Sequence, residues 1–369
     1  MAVRVPAIID GVVERNPDYS PSIRDALLRL RDALASNGPL PALKSEAPGW
    51  NEWRTELAHR QNDGWLSTDW FFAETYAYRT LVEAVRYWET RRDPFLPIKR
   101  EEYASATHAD ALERALELVG STEERLHALF GLALFGNRID LSFAASLTRG
   151  TATDTDDLLT DDRTAAVEKT VRINGPLHVI ADNAGTELTL DLVLADFALT
   201  NFHAPVVLHV KVHPTFVSDA TPADVLSFLG LEGDRSFAPR SKTALAFVER
   251  LRTATQSRRL LVASHPFWNG PISLFDIPGE LANELESARL VVSKGDANYR
   301  RALNDALWGP ETPFADATSY FRAPLLALRT LKSDTIVGLA KGRAAELDTL
   351  DPTWRVNGKR GVASLGGLV

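Results

Sequence analysis

The chain has 369 residues, 45% of them hydrophobic and 24% charged, with 20 prolines and 22 glycines, which is the make-up of a globular protein with room for two cores. Its formal charge of −8, from 41 basic and 49 acidic residues, argues against nucleic acid as the main partner, because binding a phosphate backbone needs a basic face. The absence of cysteine excludes disulfides, thiolate metal sites and cysteine nucleophiles, and no apolar run is long enough to span a membrane, so the expectation is a cytoplasmic protein with no membrane partner.

The first part of the chain reads as helices. Over 21–36, Ile23, Leu27, Leu28, Leu30 and Leu34 share one broad apolar face, and Asn37-Gly38-Pro39 ends it. Residues 67–90 read as another helix with Ser67 or Thr68 as N-cap. Two more follow at 108–119 and 121–134, the second opened by Ser-Thr-Glu-Glu at 121–124. Near residue 150 the texture changes, and the acidic run 148–162 reads as a solvated connector. Short apolar runs at 177–181, 206–212, 259–263, 290–293 and 325–328 then alternate with helical patterns at 188–199, 222–229, 243–253, 280–287 and 299–307. Such alternation implies parallel strands joined by crossover helices. The expected fold class is therefore α/β, with a helical N-terminal domain over 1–150 packed on a Rossmann-like α/β/α sandwich over 151–369.

Ligands of open α/β sheets bind beyond the C-terminal strand ends. The residues that follow the expected strands are rich in polar groups: Asp182-Asn183, Ser218-Asp219, His265, Lys294-Gly295-Asp296 and Arg329-Thr330-Leu331-Lys332. Asp182, Asn183 and Asp219 offer hard oxygen ligands of the kind magnesium or manganese prefers. Ala184-Gly185 lets the backbone turn, and the helix after it would present N–H groups to a phosphate. The plainer reading of Asp182-Asn183-Ala184-Gly185 is a turn that caps a helix. Asp219 likewise belongs to a helix start, although Thr221 and Pro222 already supply the cap and the first helical residue. Arg329, Thr330 and Lys332 put a guanidinium, a hydroxyl and an ammonium in one loop, suited either to gripping a phosphate or to lying solvated on the surface. Lys359, between Gly358 and Arg360-Gly361, has the same two readings.

Other classes lack their signatures. The eight histidines contain no HExxH and no close carboxylate-linked pairing, and His209 and His213 read as structural. There is no GxSxG, no GxxxxGK[ST] and no GxGxxG, and the glycines of 131–136 belong to a helix. An aspartyl nucleophile of the Asp-x-Asp type is missing, because Ala184 stands at its second carboxylate.

Taken as an ordered set, these segments resemble the damage-control phosphatase family, in the branch marked by Arg-Thr-x-Lys. The resemblance runs through Trp70-Phe71-Phe72-Ala73-Glu74-Thr75-Tyr76-Ala77-Tyr78-Arg79, Phe135-Gly136-Asn137-Arg138-Ile139-Asp140-Leu141-Ser142 and Ala181-Asp182-Asn183-Ala184-Gly185-Thr186-Glu187-Leu188. It continues through His209-Val210-Lys211, Phe216-Val217-Ser218-Asp219, Lys294-Gly295-Asp296-Ala297-Asn298-Tyr299-Arg300 and Arg329-Thr330-Leu331-Lys332. It implies a helical bundle followed by an α/β/α sandwich, and a metal on Asp182, Asn183 and Asp219. It also implies substrate contacts from Asn183, Glu187, Arg329, Thr330, Lys332, Ser333 and Lys359. Sugar phosphates such as fructose 1-phosphate are the implied substrates, with cobalt, nickel, manganese or magnesium as the supporting ion.

The mechanism expected on both grounds is direct hydrolysis, with Asp182 and Asp219 as the catalytic carboxylates that hold the metal and Arg329 and Lys332 neutralising the phosphoryl oxygens. Glu187 either accepts sugar hydroxyls or is a first-turn carboxylate favoured by the helix dipole. Asn137 and Asp140 either support the ligands or brace the domain junction, and Lys211 and Asp296 carry no assigned role. The competing reading is an S-adenosylmethionine-dependent protein carboxyl methyltransferase, an activity also attributed to this branch; the Asp182–Gly185 segment lacks the glycine-rich turn that such a cofactor needs. A non-catalytic metal- and phosphate-binding protein is the third.

Overall fold

The computed structural model describes residues 1–136, 158–233, 239 and 241–368. The boundary expected at residue 150, and Asn137 and Asp140, lie outside the described residues. The fold is mixed α/β, and the chain divides into two compact units, both discontinuous in sequence.

The first unit comprises Met1–Glu102, Val210–Pro222 and Ser264–Ile272. Its helices include Arg4–Arg15, Pro21–Ala35, Trp50–Ala58 and Trp70–Ala84. Ser20 caps the second of these, its Oγ accepting from the Ile23 N–H, with Pro21 at the first helical position. Val5, Ile9, Leu27, Leu34, Trp53, Trp65, Phe72, Tyr76 and Leu81 meet in its core. The helix expected over 67–90 is shorter. It begins at Trp70, because Ser67 spends its hydroxyl on the Gly64 N–H, and it stops at Ala84 before Arg86 turns left-handed at φ 58°.

The second unit comprises Tyr103–His209, Ala223–Ala263 and Ser273–Val369. The helices Ala106–Leu116 and Thr122–Phe135 belong to it and pack against the helix Thr186–Asn201. Thr122–Phe135 starts from a full capping box between Ser121 and Glu124, as its sequence predicts.

Seven strands among the described residues form one sheet: β1 Leu158–Asp161, β2 Leu177–Ile180, β3 Val206–Val210, β4 Leu260–Ser264, β5 Leu290–Lys294, β6 Leu325–Thr330 and β7 Gly361–Gly366, in the order β1-β7-β6-β5-β2-β3-β4. β2, β3 and β5 are buried at every position, which is why they read as unbroken apolar runs. β2 pairs in parallel with both β3 and β5, and β5 with β6. From β2 the chain moves outward to β3 and β4, then returns to β2's other side for β5. The direction of winding therefore reverses between β2 and β5, and that crevice is where such sheets bind ligands. β7 runs antiparallel to β6, with Thr330 opposite Gly361. Its start, and Lys359 just before it, therefore sit at the same sheet edge as the ends of β2, β5 and β6.

Candidate active site

β2 and β5 lie side by side, and the turns that leave them are pressed together. Asp182 is the second residue after β2 and is buried, 8% exposed. Gly295 opens the helix Gly295–Ala302 directly from the end of β5, at a φ of +82° that L side chains rarely adopt. A Cβ built there would lie 2.0 Å from Asp182 Oδ2. Glycine is thus required twice over, for its backbone angle and for the space that the carboxylate fills.

Asn183 organises the other side of this carboxylate. Its Nδ2 donates to Asp182 Oδ2 at 3.0 Å and to Glu187 Oε1 at 3.1 Å, which turns the amide oxygen away from both. Gly185 then starts the helix Thr186–Asn201 at φ 74° without any side-chain cap, so its first-turn N–H groups meet no capping oxygen from that residue. Glu187 is in the first turn. Burial raises its pKa above the ordinary carboxylate range, against the pull of Lys294 and Lys332.

Lys294, the last residue of β5, donates from Nζ to Asp191 Oδ1 at 2.7 Å, and both side chains are inaccessible. Burial opposes its charge, but the carboxylates of Asp191, Glu187 and Asp182 outweigh burial and hold it protonated. The buried ammonium thus lies among three carboxyl groups, of which burial raises the pKa of Glu187 and Asp191. The oxygen donors Asp182 and Asn183 beside them fit a divalent cation.

The 329–333 loop is built around Asp296. One oxygen, Oδ1, accepts from Arg329 Nε at 2.7 Å, from the Lys332 N–H at 3.1 Å and from Ser333 Oγ at 3.0 Å. The remaining guanidinium nitrogens of Arg329 donate to the Thr335 and Ser333 carbonyls and to Ser333 Oγ, and its plane lies over Tyr299 at 4.3 Å. Burial would raise the pKa of Asp296, but Arg329 and Arg300 outweigh it and lower the value. Arg329 is fully buried, and its hydrogen bonds to Asp296, Ser333 and Thr335 make it a brace of the loop. Lys332 differs: its side chain is exposed, yet close enough to Glu187 to favour that residue's charge. Thr330 and Ser333 are partly buried, Thr330 opposite Gly361, and the Leu331 N–H donates to the Arg360 carbonyl, which ties the loop to the segment carrying the exposed Lys359.

Asp219 belongs to the helical unit, in the segment that follows β3. It is 1% exposed, and its Oδ2 lies 3.4 Å from Lys211 Nζ, which also donates to the Trp268 carbonyl. Lys99, also buried, donates to the Asp219 carbonyl at 3.2 Å and to Asp93. Lys211, which the sequence left without a role, and Lys99 thus both lie against this aspartate.

The histidines need one correction. Their spacing shows no carboxylate-linked pairing, yet parallel pairing of β2 with β3 brings Nδ1 of His178 to 2.9 Å from Nε2 of His209, with Glu284 beside them. Thirty-one positions separate these two histidines, so only the strand register reveals the pair. His213 is buried with its Nδ1 facing the Pro214 carbonyl, and His265 Nδ1 accepts from the Phe267 N–H to cap a short turn.

A wound α/β sheet with carboxylates and a lysine-bearing loop at its switch point defines a class of small-ligand sites. Within that class, residues 1–347 match the model of the damage-control phosphatase ARMT1-like domain, and the chain belongs to that family. It is 31% identical to a protein named damage-control phosphatase ARMT1 from Danio rerio, over 97% of this chain and 92% of that one. The protein of that name from Homo sapiens is 27% identical, over 92% and 86%. The fold is similar to that of a DUF89 family protein from Pyrococcus horikoshii, with a TM-score of 0.51, 16% identity, and coverage of 98% and 96%.

Proposed function

We propose that the protein is a divalent-metal-dependent phosphomonoester hydrolase acting on small phosphorylated metabolites, sugar phosphates such as fructose 1-phosphate among them. The observation that carries this reading is the meeting of Asp182-Asn183, Glu187 and the 329–333 loop at one strand-end crevice, in a chain whose family relatives are named phosphatases. Asp182 and Asn183 would hold the cation, and Asp219 keeps the ligand role that the resemblance implies for it. Manganese, magnesium, cobalt and nickel are the proposed ions; such a cation polarises a phosphoryl oxygen and acidifies water.

The chain's own residues supply the rest. The N-terminal end of the Thr186–Asn201 helix carries the positive pole of the helix dipole, which favours phosphate oxygens there. Lys332 meets the charge that spreads over those oxygens as the ester bond breaks, and Lys359 approaches from the start of β7. Arg329 acts through Asp296 and Ser333 to set the position of Lys332. Glu187 faces the sugar hydroxyls, where a part-buried acceptor discriminates among substrates. Water adds to phosphorus and the alcohol leaves with a proton, giving inorganic phosphate. The carboxyl methyltransferase alternative gains no support from the turn after β2, where Asp182-Asn183 occupies the place of a glycine-rich cofactor loop. Assay of the purified protein against a panel of phosphate esters, with and without manganese, tests the proposal; phosphate release that needs the metal supports it, and none from any ester refutes it.

A further inference from the structure

We propose that His178, His209 and Glu284 form a second divalent-metal site, distinct from the strand-end crevice and suited to zinc, cobalt or nickel. A nitrogen from each imidazole and a carboxylate oxygen of Glu284 lie within 4.8 Å of one another. His178 is the second residue of β2 and His209 the fourth of β3, so the rigid register of two central strands holds both rings. Asp182 lies four residues further along than His178, about 13 Å at the rise of an extended chain. One ion does not serve both places.

The pair is not satisfied by its own hydrogen bond. Of two neutral imidazoles facing each other at 2.9 Å, one donates and the other accepts. Nε2 of His178 is then left buried without a hydrogen-bond partner. The defect persists in either tautomer: if His178 donates from Nδ1, Nε2 is a lone pair with no donor, and if it accepts there, Nε2 carries a proton with no acceptor. An orphaned buried group of this kind is destabilising. Coordination through Nε2 removes it, because an imidazole nitrogen that binds a cation needs no proton.

The donor set selects the ion. Two neutral nitrogens and one carboxylate suit borderline cations and not magnesium, which prefers oxygen alone. Both histidines are 1% exposed, whereas Glu284 reaches solvent and supplies the entry side and the one compensating negative charge.

Equilibrium dialysis of the full-length, metal-stripped protein against zinc tests this, with wild type, Glu284→Gln, His178→Gln and Asp182→Asn compared. The expected result is one zinc that Asp182→Asn retains, that Glu284→Gln holds at least tenfold more weakly, and that His178→Gln loses. Because Glu284 is exposed, its variant folds even if the His178 variant does not. Unchanged zinc affinity and stoichiometry in Glu284→Gln overturns the proposal, as does loss of all bound zinc in Asp182→Asn. Neither result bears on the phosphatase reading, which rests on the crevice.

Discussion

Gly295 and Asp182 occupy one space: the carboxylate of Asp182 stands where a side chain at residue 295 would be, 2.0 Å from the position of its Cβ. The turn after β5 therefore sets the orientation of the first candidate metal ligand after β2. Gly295→Ala should push Asp182 aside and strain a backbone held at φ +82°. We expect manganese affinity to fall roughly tenfold or more, the loss typical when a group that orients a ligand is disturbed. Calorimetric titration of manganese, with circular dichroism as a control for folding, checks it; unchanged affinity would detach Asp182 from the ion.

In the proposed mechanism Lys332 serves phosphate recognition and Glu187 sugar recognition, and two variants tell these roles apart. Lys332 is exposed, so Lys332→Ala should leave folding intact while turnover of every phosphate ester falls by a similar factor. One charge-assisted contact to a developing oxyanion contributes about 3 kcal/mol, roughly a hundredfold or more in rate. Glu187→Ala should change the ranking among sugar phosphates. Comparing kcat/KM for both variants over a substrate panel is decisive, and a uniform loss in the Glu187 variant would make that residue part of the metal environment instead.

Asp219 is better probed with asparagine than with alanine. Sequence alone suggests that Asp219→Ala leaves the fold untouched, because Thr221 and Pro222 still start the next helix. The structure adds Lys211, whose buried ammonium lies 3.4 Å from Asp219, and truncation would strand that charge. Asp219→Asn keeps the volume and a carbonyl toward the lysine, so we expect lost manganese binding with a small change in thermal midpoint. Retained binding would return Asp219 to a purely structural role.

The stability of the apo protein should fall on mild acidification. Burial lowers the pKa of His108 to about 4 and that of His213 to about 3, from 6.5. The folded state resists protons that the unfolded chain takes up, so this stability is complete above pH 6.5. It is lost as pH falls toward 4 for His108 and 3 for His213, at about 1.4 kcal/mol per pH unit for each. Urea unfolding of His108→Gln and wild type across that window measures the effect, and a variant with the same pH slope as wild type would contradict it.

Much of the site was legible because strand ends attract polar residues, and Asp182-Asn183, Asp296 and Arg329 all follow apolar runs that are strands. What stayed hidden depended on pairing. β7, Gly-Val-Ala-Ser-Leu-Gly, is too glycine-rich and small to read as a strand, yet its antiparallel course is what brings Lys359 to the sheet edge where β6 ends. β1 hides in an acidic run, and its Leu158 and Leu159 are too few to signal a strand. The patterning also started the fifth crossover helix at 299, whereas the helix runs Gly295–Ala302, because Gly295 allows it to begin within the turn itself. For Arg329 the sequence offered a phosphate grip or a solvated surface, and neither reading contains its bond to Asp296, thirty-three residues earlier.

The central claim is that hydrolysis of a phosphate ester depends on a cation held by the crevice residues. Phosphate release from fructose 1-phosphate by thoroughly stripped protein, before and after adding back manganese, measures it most directly. We predict background turnover in the stripped protein and recovery with manganese, cobalt, nickel or magnesium in wild type, with no recovery in Asp182→Asn. Undiminished turnover in protein shown by elemental analysis to be metal-free would contradict the account.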